Sequence, residues 1–151
     1  MIKIVNLLPE LLGTYGDHGN VATLSWRLSQ RGIAHQVIEA SAFDSLPNDG
    51  DFYLLGGGED DAQIAAVELL RKQDTLNNAV KNGAQIFAVC AGFQLLGESF
   101  PASEGRTIKG LDLLPIITES ATPRSVGELL LDSTLGLGTL TGFENHAGQT
   151  K

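Results

Sequence analysis

Apolar positions along this chain follow two rhythms. Short strand-like runs occupy residues 2–8, 34–39, 51–55 and 84–89. Between them, apolar residues recur at helical spacing. Val21, Leu24 and Leu28 share one face behind Asn20, which can cap that helix, and Gly32 can end it. Ile64, Val67 and Leu70 do the same behind Asp60 or Asp61. A short helix over 75–82 closes at Gly83, and another begins over 91–97. Strand and helix in steady alternation predict the α/β class: a mostly parallel sheet with helices on both faces.

After Phe100 the texture changes. Residues 108–117, 128–131 and 137–143 are short β-type runs separated by Gly, Pro and Ser, and we expect them to form hairpins added to the sheet. Gly136-Leu137-Gly138 reads as a bend. No repeat and no low-complexity linker interrupts the chain, so residues 1–151 are expected to form one domain. The sequence stops at Lys151, directly after a Gly-bounded polar stretch, and this suggests a domain shortened at its C-terminus.

Composition narrows the functions open to it. Apolar residues make up 42% and charged residues 19%, as in soluble globular domains. Ten Lys and Arg against eighteen Asp and Glu give a net charge of −8, which repels phosphate backbones and anionic lipid. No apolar run is long enough to span a bilayer, and the N-terminus lacks a signal-peptide pattern. One cysteine cannot form an internal disulfide, and three scattered histidines have no metal-ligand spacing. A cytoplasmic protein without a metal is the expectation.

The lone cysteine is where the chemistry concentrates. In Ile86-Phe-Ala-Val-Cys90-Ala-Gly92-Phe-Gln94 an apolar strand runs straight into Cys90, with Gly two residues later and a helix behind. That order predicts a nucleophile elbow, a sharp turn that lifts the side chain above the carboxyl edge of the sheet. The dipole of the following helix favours the thiolate. Taken alone, a cysteine after an apolar strand is more often a small core residue. The Cys-x-Gly-x-Gln spacing shifts the balance toward a nucleophile. Leu55-Gly56-Gly57-Gly58-Glu59 lies at another strand's carboxyl end, where open α/β sheets place ligands. Its bare N–H groups, with that of Ala91, can form a two-donor oxyanion hole. It is no Walker loop, because no Lys-Ser/Thr follows.

A glycine turn followed by Cys-x-Gly-x-Gln resembles the class I glutamine amidotransferases, which implies a flavodoxin-like fold. Tyr15-Gly-Asp-His-Gly-Asn20 and Phe143-Glu-Asn-His-Ala-Gly-Gln-Thr150 resemble two motifs of the cobyric-acid-synthase-like branch, with Gln149 where the branch has Arg. Together the four stretches look most like the glutaminase subunits of lipid II isoglutaminyl synthase, over essentially the whole chain. The resemblance implies that Cys90 attacks the glutamine amide and releases ammonia through a thioester. It implies Gly57 (or Gly58) and Ala91 as oxyanion donors, Gln94 lining the glutamine site, and Arg124 holding the α-carboxylate. It also implies a Mur-ligase-like partner that carries ATP and Mg and amidates the D-glutamate α-carboxyl of lipid II, with no cofactor in this chain.

The pattern departs from the family at the base. The family's His lies in a Tyr-x-His-Gly stretch that this sequence lacks. His18 is expected beside the substrate mouth, His35 on the surface, and His146 in a structural motif role. Three other readings stay open: the amidotransferase part of a cobyrinic or cobyric acid synthase, a binding or regulatory module without turnover, and a cysteine-elbow hydrolase or chaperone. A chain starting at Met1 with a strand favours a separate subunit over the fused synthase.

Overall fold

The computed structural model describes residues 1–151. Its centre is a parallel sheet of four strands: β1 (Ile2–Leu7), β2 (His35–Ala40), β3 (Phe52–Leu55) and β4 (Gln85–Ala88), in the order β2-β1-β3-β4. The chain steps outward from β1 to β2 and then returns to the other side of β1 for β3. Such a reversal opens a crevice at the carboxyl ends of β1 and β3.

Helices cover both faces, as the alternation requires. Helix α1 (His18–Gln30) packs Val21 and Leu28 against Ile4 and Leu54. Helices α2 (Asp60–Gln73) and α3 (Thr75–Lys81) pack Val67, Leu70 and Leu76 against Val5, Leu7, Tyr53 and Leu55. Ile4 and Val5 point to opposite faces because side chains alternate along a strand. Glycine ends both turns where a left-handed residue is needed: Gly32 has φ +64° after α1, and Gly83 has φ +88° after α3. No helix is long and apolar enough to cross a membrane.

The helix starts differ from the sequence reading. Asp17, not Asn20, holds the N-cap position of α1, because the turn already begins with Gly19 N–H donating to Gly16. Glu59, in extended conformation, precedes α2. Asp60 and Asp61 lie in its first turn, where their charge suits the helix dipole.

The second half forms two separate hairpins instead of extending the parallel sheet. After the short helix α4 (Ala91–Leu95), β5 (Ser99–Ala102) pairs antiparallel with β6 (Arg106–Lys109). The expected run over 108–117 breaks after Lys109. There Leu111 and Leu113 spend their N–H groups on the carbonyls of Leu95 and Leu96 at the end of α4, so they cannot join a ladder. A long ribbon follows, β7 (Thr118–Asp132) against β8 (Thr139–Thr150), turning through Gly136 and Gly138, both at positive φ.

Candidate active site

The two glycine-bearing turns meet because their strands are neighbours. Leu55 at the end of β3 pairs with Ala88 at the end of β4. The ladder continues beyond the strands: Val89 N–H donates to Leu55 O at 3.0 Å, and Gly92 N–H to Gly56 O at 3.0 Å. Cys90 stands between these bonds with φ 53° and ψ −119°, directly before α4. A non-glycine residue at positive φ costs on the order of 1–3 kcal/mol and persists only where its surroundings hold it. Here the held conformation lifts the thiol into solvent at the carboxyl edge.

Glycine is required on both sides of this turn. A methyl built on Gly92 would sit 2.7 Å from Leu55 O. One on Gly57 would reach 3.2 Å from Cys90 Cβ and 2.6 Å from the Tyr15 ring. One on Gly56 would lie 2.1 Å from Leu12 O. The loop after β1 therefore lies pressed onto the glycine turn. It is tied there by Thr14 N–H donating to Gly57 O, and by Gly57 N–H donating to Asp17 Oδ2 at 2.8 Å.

That last bond bears on the oxyanion donors. The Gly57 N–H is engaged by a carboxylate, whereas the N–H groups of Gly58 and Ala91 donate to no protein acceptor. Both Gly58 and Ala91 line the cleft beside Cys90. Of the two glycines the resemblance left open, Gly58 is the one with a free donor.

The cleft measures about 490 Å³ and gathers residues from separate parts of the chain. Cys90, Ala91 and Gln94 come from the elbow, Glu59 and Gln63 from the start of α2, Tyr15 from the loop after β1. Arg124 comes from β7 and His146 from β8. Arg124 lies in a register irregularity of the ribbon between Ser120 and Ser125, a bulge that re-aims a side chain. Its Nε donates to Asn145 Oδ1 at 2.6 Å and its Nη2 to Asn145 O at 3.0 Å. One edge of the guanidinium is fixed, and Nη1 donates to no protein acceptor. The Tyr15 hydroxyl donates to Glu59, which pushes its pKa above the usual tyrosine value. Partial burial, the Glu59 charge and Cys90 push the same way, and Arg124 opposes them.

The histidines separate cleanly. His18 does not line the cleft. As the first residue of α1, next to Asp17 of the cleft lining, it stands 3.8 Å from Glu39 at the end of β2. His35 bonds Ser25 and Ile33 O on the edge strand. His146 lines the cleft, but Nδ1 faces Gly148 O at 2.7 Å and Nε2 faces Glu144 at 3.1 Å. Both ring nitrogens are engaged, so neither is placed to take the thiol proton.

Sequence reasoning missed Gln63, Glu59 and the separate parts played by Asp17 and Asn145. Asp17 and Asn145 sit inside the motifs quoted above, so a signal existed. Gln63 carried none beyond being a polar residue on the apolar side of α2.

The family comparison agrees with this geometry. Residues 3–151 match the CobB/CobQ-like glutamine amidotransferase domain. A lipid II isoglutaminyl synthase (glutamine-hydrolyzing) subunit GatD of Staphylococcus aureus (strain N315) is 34% identical over 151 residues, covering 99% of this chain and 62% of the relative. The subunit of the same name from Streptococcus pneumoniae (strain ATCC BAA-255 / R6) is 34% identical over 99% of this chain and 58% of its own length. A cobyric acid synthase of Brucella abortus (strain S19) is 35% identical over 78% of the chain and 26% of the relative. The chain thus spans about three-fifths of the length of the GatD relatives. On the match over residues 3–151, this chain belongs to the CobB/CobQ-like glutamine amidotransferase family.

Proposed function

We propose that this chain is the glutaminase part of an amide-forming ligase that acts on lipid II in peptidoglycan synthesis. The observation that carries the reading is Cys90, held at positive φ on the elbow and sharing one cleft with Arg124. L-Glutamine enters with its α-carboxylate toward the unpaired Nη1 end of the Arg124 guanidinium. The Cys90 sulfur adds to the side-chain amide carbon. The N–H groups of Ala91 and Gly58 receive the developing oxyanion. The tetrahedral intermediate collapses, the C–N bond breaks, and the nitrogen leaves as ammonia, carrying the proton that the thiol gave up. Water then cleaves the thioester to give glutamate and restore the thiol.

The acceptor reaction belongs to a partner. A Mur-ligase-like subunit carrying ATP and Mg uses the ammonia to amidate the D-glutamate α-carboxyl of lipid II. The GatD names of the relatives support this reading, since each is called a subunit of a glutamine-hydrolyzing synthase. The engaged ring nitrogens of His146 favour a second reading, a module that keeps the fold without turnover.

A glutamine analogue bearing an electrophilic ketone tests the site. One analogue should add at Cys90, L-glutamine should protect, and Cys90→Ala should take up none. Absence of saturable labelling would sink the glutaminase reading. Labelling without release of glutamate and ammonia from L-glutamine would select the silent module.

A further inference from the structure

The buried amide of Gln63 has no part in the chemistry above, yet it touches two parts of the site. It lies one turn into α2, where the Gln63 backbone N–H closes the turn on Glu59 O at 2.8 Å. The residue is 3% exposed, one of few polar residues the fold buries. Burying an amide is tolerated only where its hydrogen bonds are made. Gln63 Nε2 donates to Ala91 O at 3.3 Å and to Gln94 Oε1 at 3.0 Å.

The direction of these bonds is set by chemistry. Ala91 O belongs to the backbone and can only accept. The Gln63 amide must therefore turn its NH₂ toward the elbow, because its own oxygen there would face another acceptor. With that NH₂ in place, Gln94 must turn its carbonyl toward Gln63. The Gln94 NH₂ is then left on the far side, where a methyl built on Gly148 would meet it at 2.9 Å. Gln94 lines the Cys90 cleft, so its free donors border the space a substrate would fill.

We propose that Gln63 is a positioning residue of the glutamine site. Through its bond to Gln94 it fixes which end of the Gln94 amide faces the cleft, so that the site offers donors to an oxygen of the substrate. The backbone carbonyl at the elbow dictates Gln63, and Gln63 dictates Gln94. The polarity of the pocket is thereby read from the same turn that holds the nucleophile. This inference rests on the glutaminase reading.

The test compares two reagents on Cys90 in the complete chain. The glutamine-analogue ketone needs the pocket, whereas iodoacetamide needs only the thiol. In Gln63→Met, of similar length but without an amide, the saturation constant for the analogue should rise about tenfold, as for a lost buried hydrogen bond. Its maximal rate of labelling, and the iodoacetamide rate, should stay unchanged. Gln63→Asn keeps the polarity and should recover part of the loss. Gln94→Met should show a loss of the same kind, and the double variant should be no worse than Gln94→Met alone, since one residue acts through the other. Additive losses, or equal loss with both reagents, would overturn the positioning role. If the native chain itself shows no saturable labelling, the glutaminase reading fails first. If the native chain labels and Gln63→Met labels equally well, only the present inference fails.

Discussion

Arg124 shows what a single side chain adds to a site. Asn145 holds its Nε edge, so the charge is fixed in direction before any ligand arrives. A preorganised guanidinium loses less freedom on binding than a free one. A charge-assisted pair with a carboxylate contributes roughly 1.5–3 kcal/mol. On the function proposed above, Arg124→Ala should therefore lower glutamine-driven turnover in a complex with the ligase partner about ten- to a hundredfold, and Arg124→Lys should restore only part. Amidation driven by free ammonia should be nearly untouched, because that route bypasses the pocket. Equal loss with both nitrogen donors would assign Arg124 to the fold or to an interface. The sequence pointed to Arg124 only through family resemblance. Its aim depends on a bulge and on Asn145, twenty-one positions further along, and no periodicity encodes such a contact.

At the level of elements, local pattern and distant pairing part company. The strands of the parallel sheet and the apolar faces of α1 and α2 were legible, because burial repeats along the chain with the period of each element. The N-terminal caps were not, because Asp17 turns its carboxylate away from its own helix to reach Gly57. Nor was the fate of the hairpins, since nothing local tells a strand which edge it will join. The loop after β1 and the turn after β3 form a unit of the same kind, in close backbone contact across about forty residues of sequence. Gly56→Ala should break it: the new methyl meets Leu12 O and Asp17 Cβ, backbone and a tethered side chain that cannot swing away. We expect a loss of about 1–3 kcal/mol or more in urea unfolding, together with slower labelling of Cys90 by the glutamine analogue. Gly127→Ala, in the ribbon with open space around it, should stay within about 0.5 kcal/mol of the native chain. Comparable losses in the two variants would mean the glycine turn is looser than its contacts imply.

Taken whole, the molecule is unevenly stabilised. The parallel sheet is sandwiched, with Ile4, Val5, Leu7 and Tyr53 fully buried. The β7–β8 ribbon leaves Leu130 at 74%, Leu135 at 83% and Phe143 at 67% exposure, so its outer half is held by its own ladder and little else. A two-stranded ribbon without a covered face is marginal in water. Its base is different: Thr118 is buried, and Gly148 packs on Gln94 at the cleft. Opening free energy should therefore fall along the ribbon, from the cleft outward. Hydrogen exchange on the chain alone should find amides of β1 and β3 protected up to global unfolding. Amides of residues 128–141 should exchange by local opening at far lower cost, and those of Ser120 and Gly148 should lie between. Leu130→Ser should leave the urea midpoint almost unmoved, whereas Leu70→Ala, in the core under α2, should cost about 2–5 kcal/mol. The ordering matters for the chemistry because Arg124 and Asn145 stand where the ribbon passes from anchored to open. If the tip proved as protected as β1, something would have to cover its apolar side chains, and self-association of the chain would be the first thing to measure.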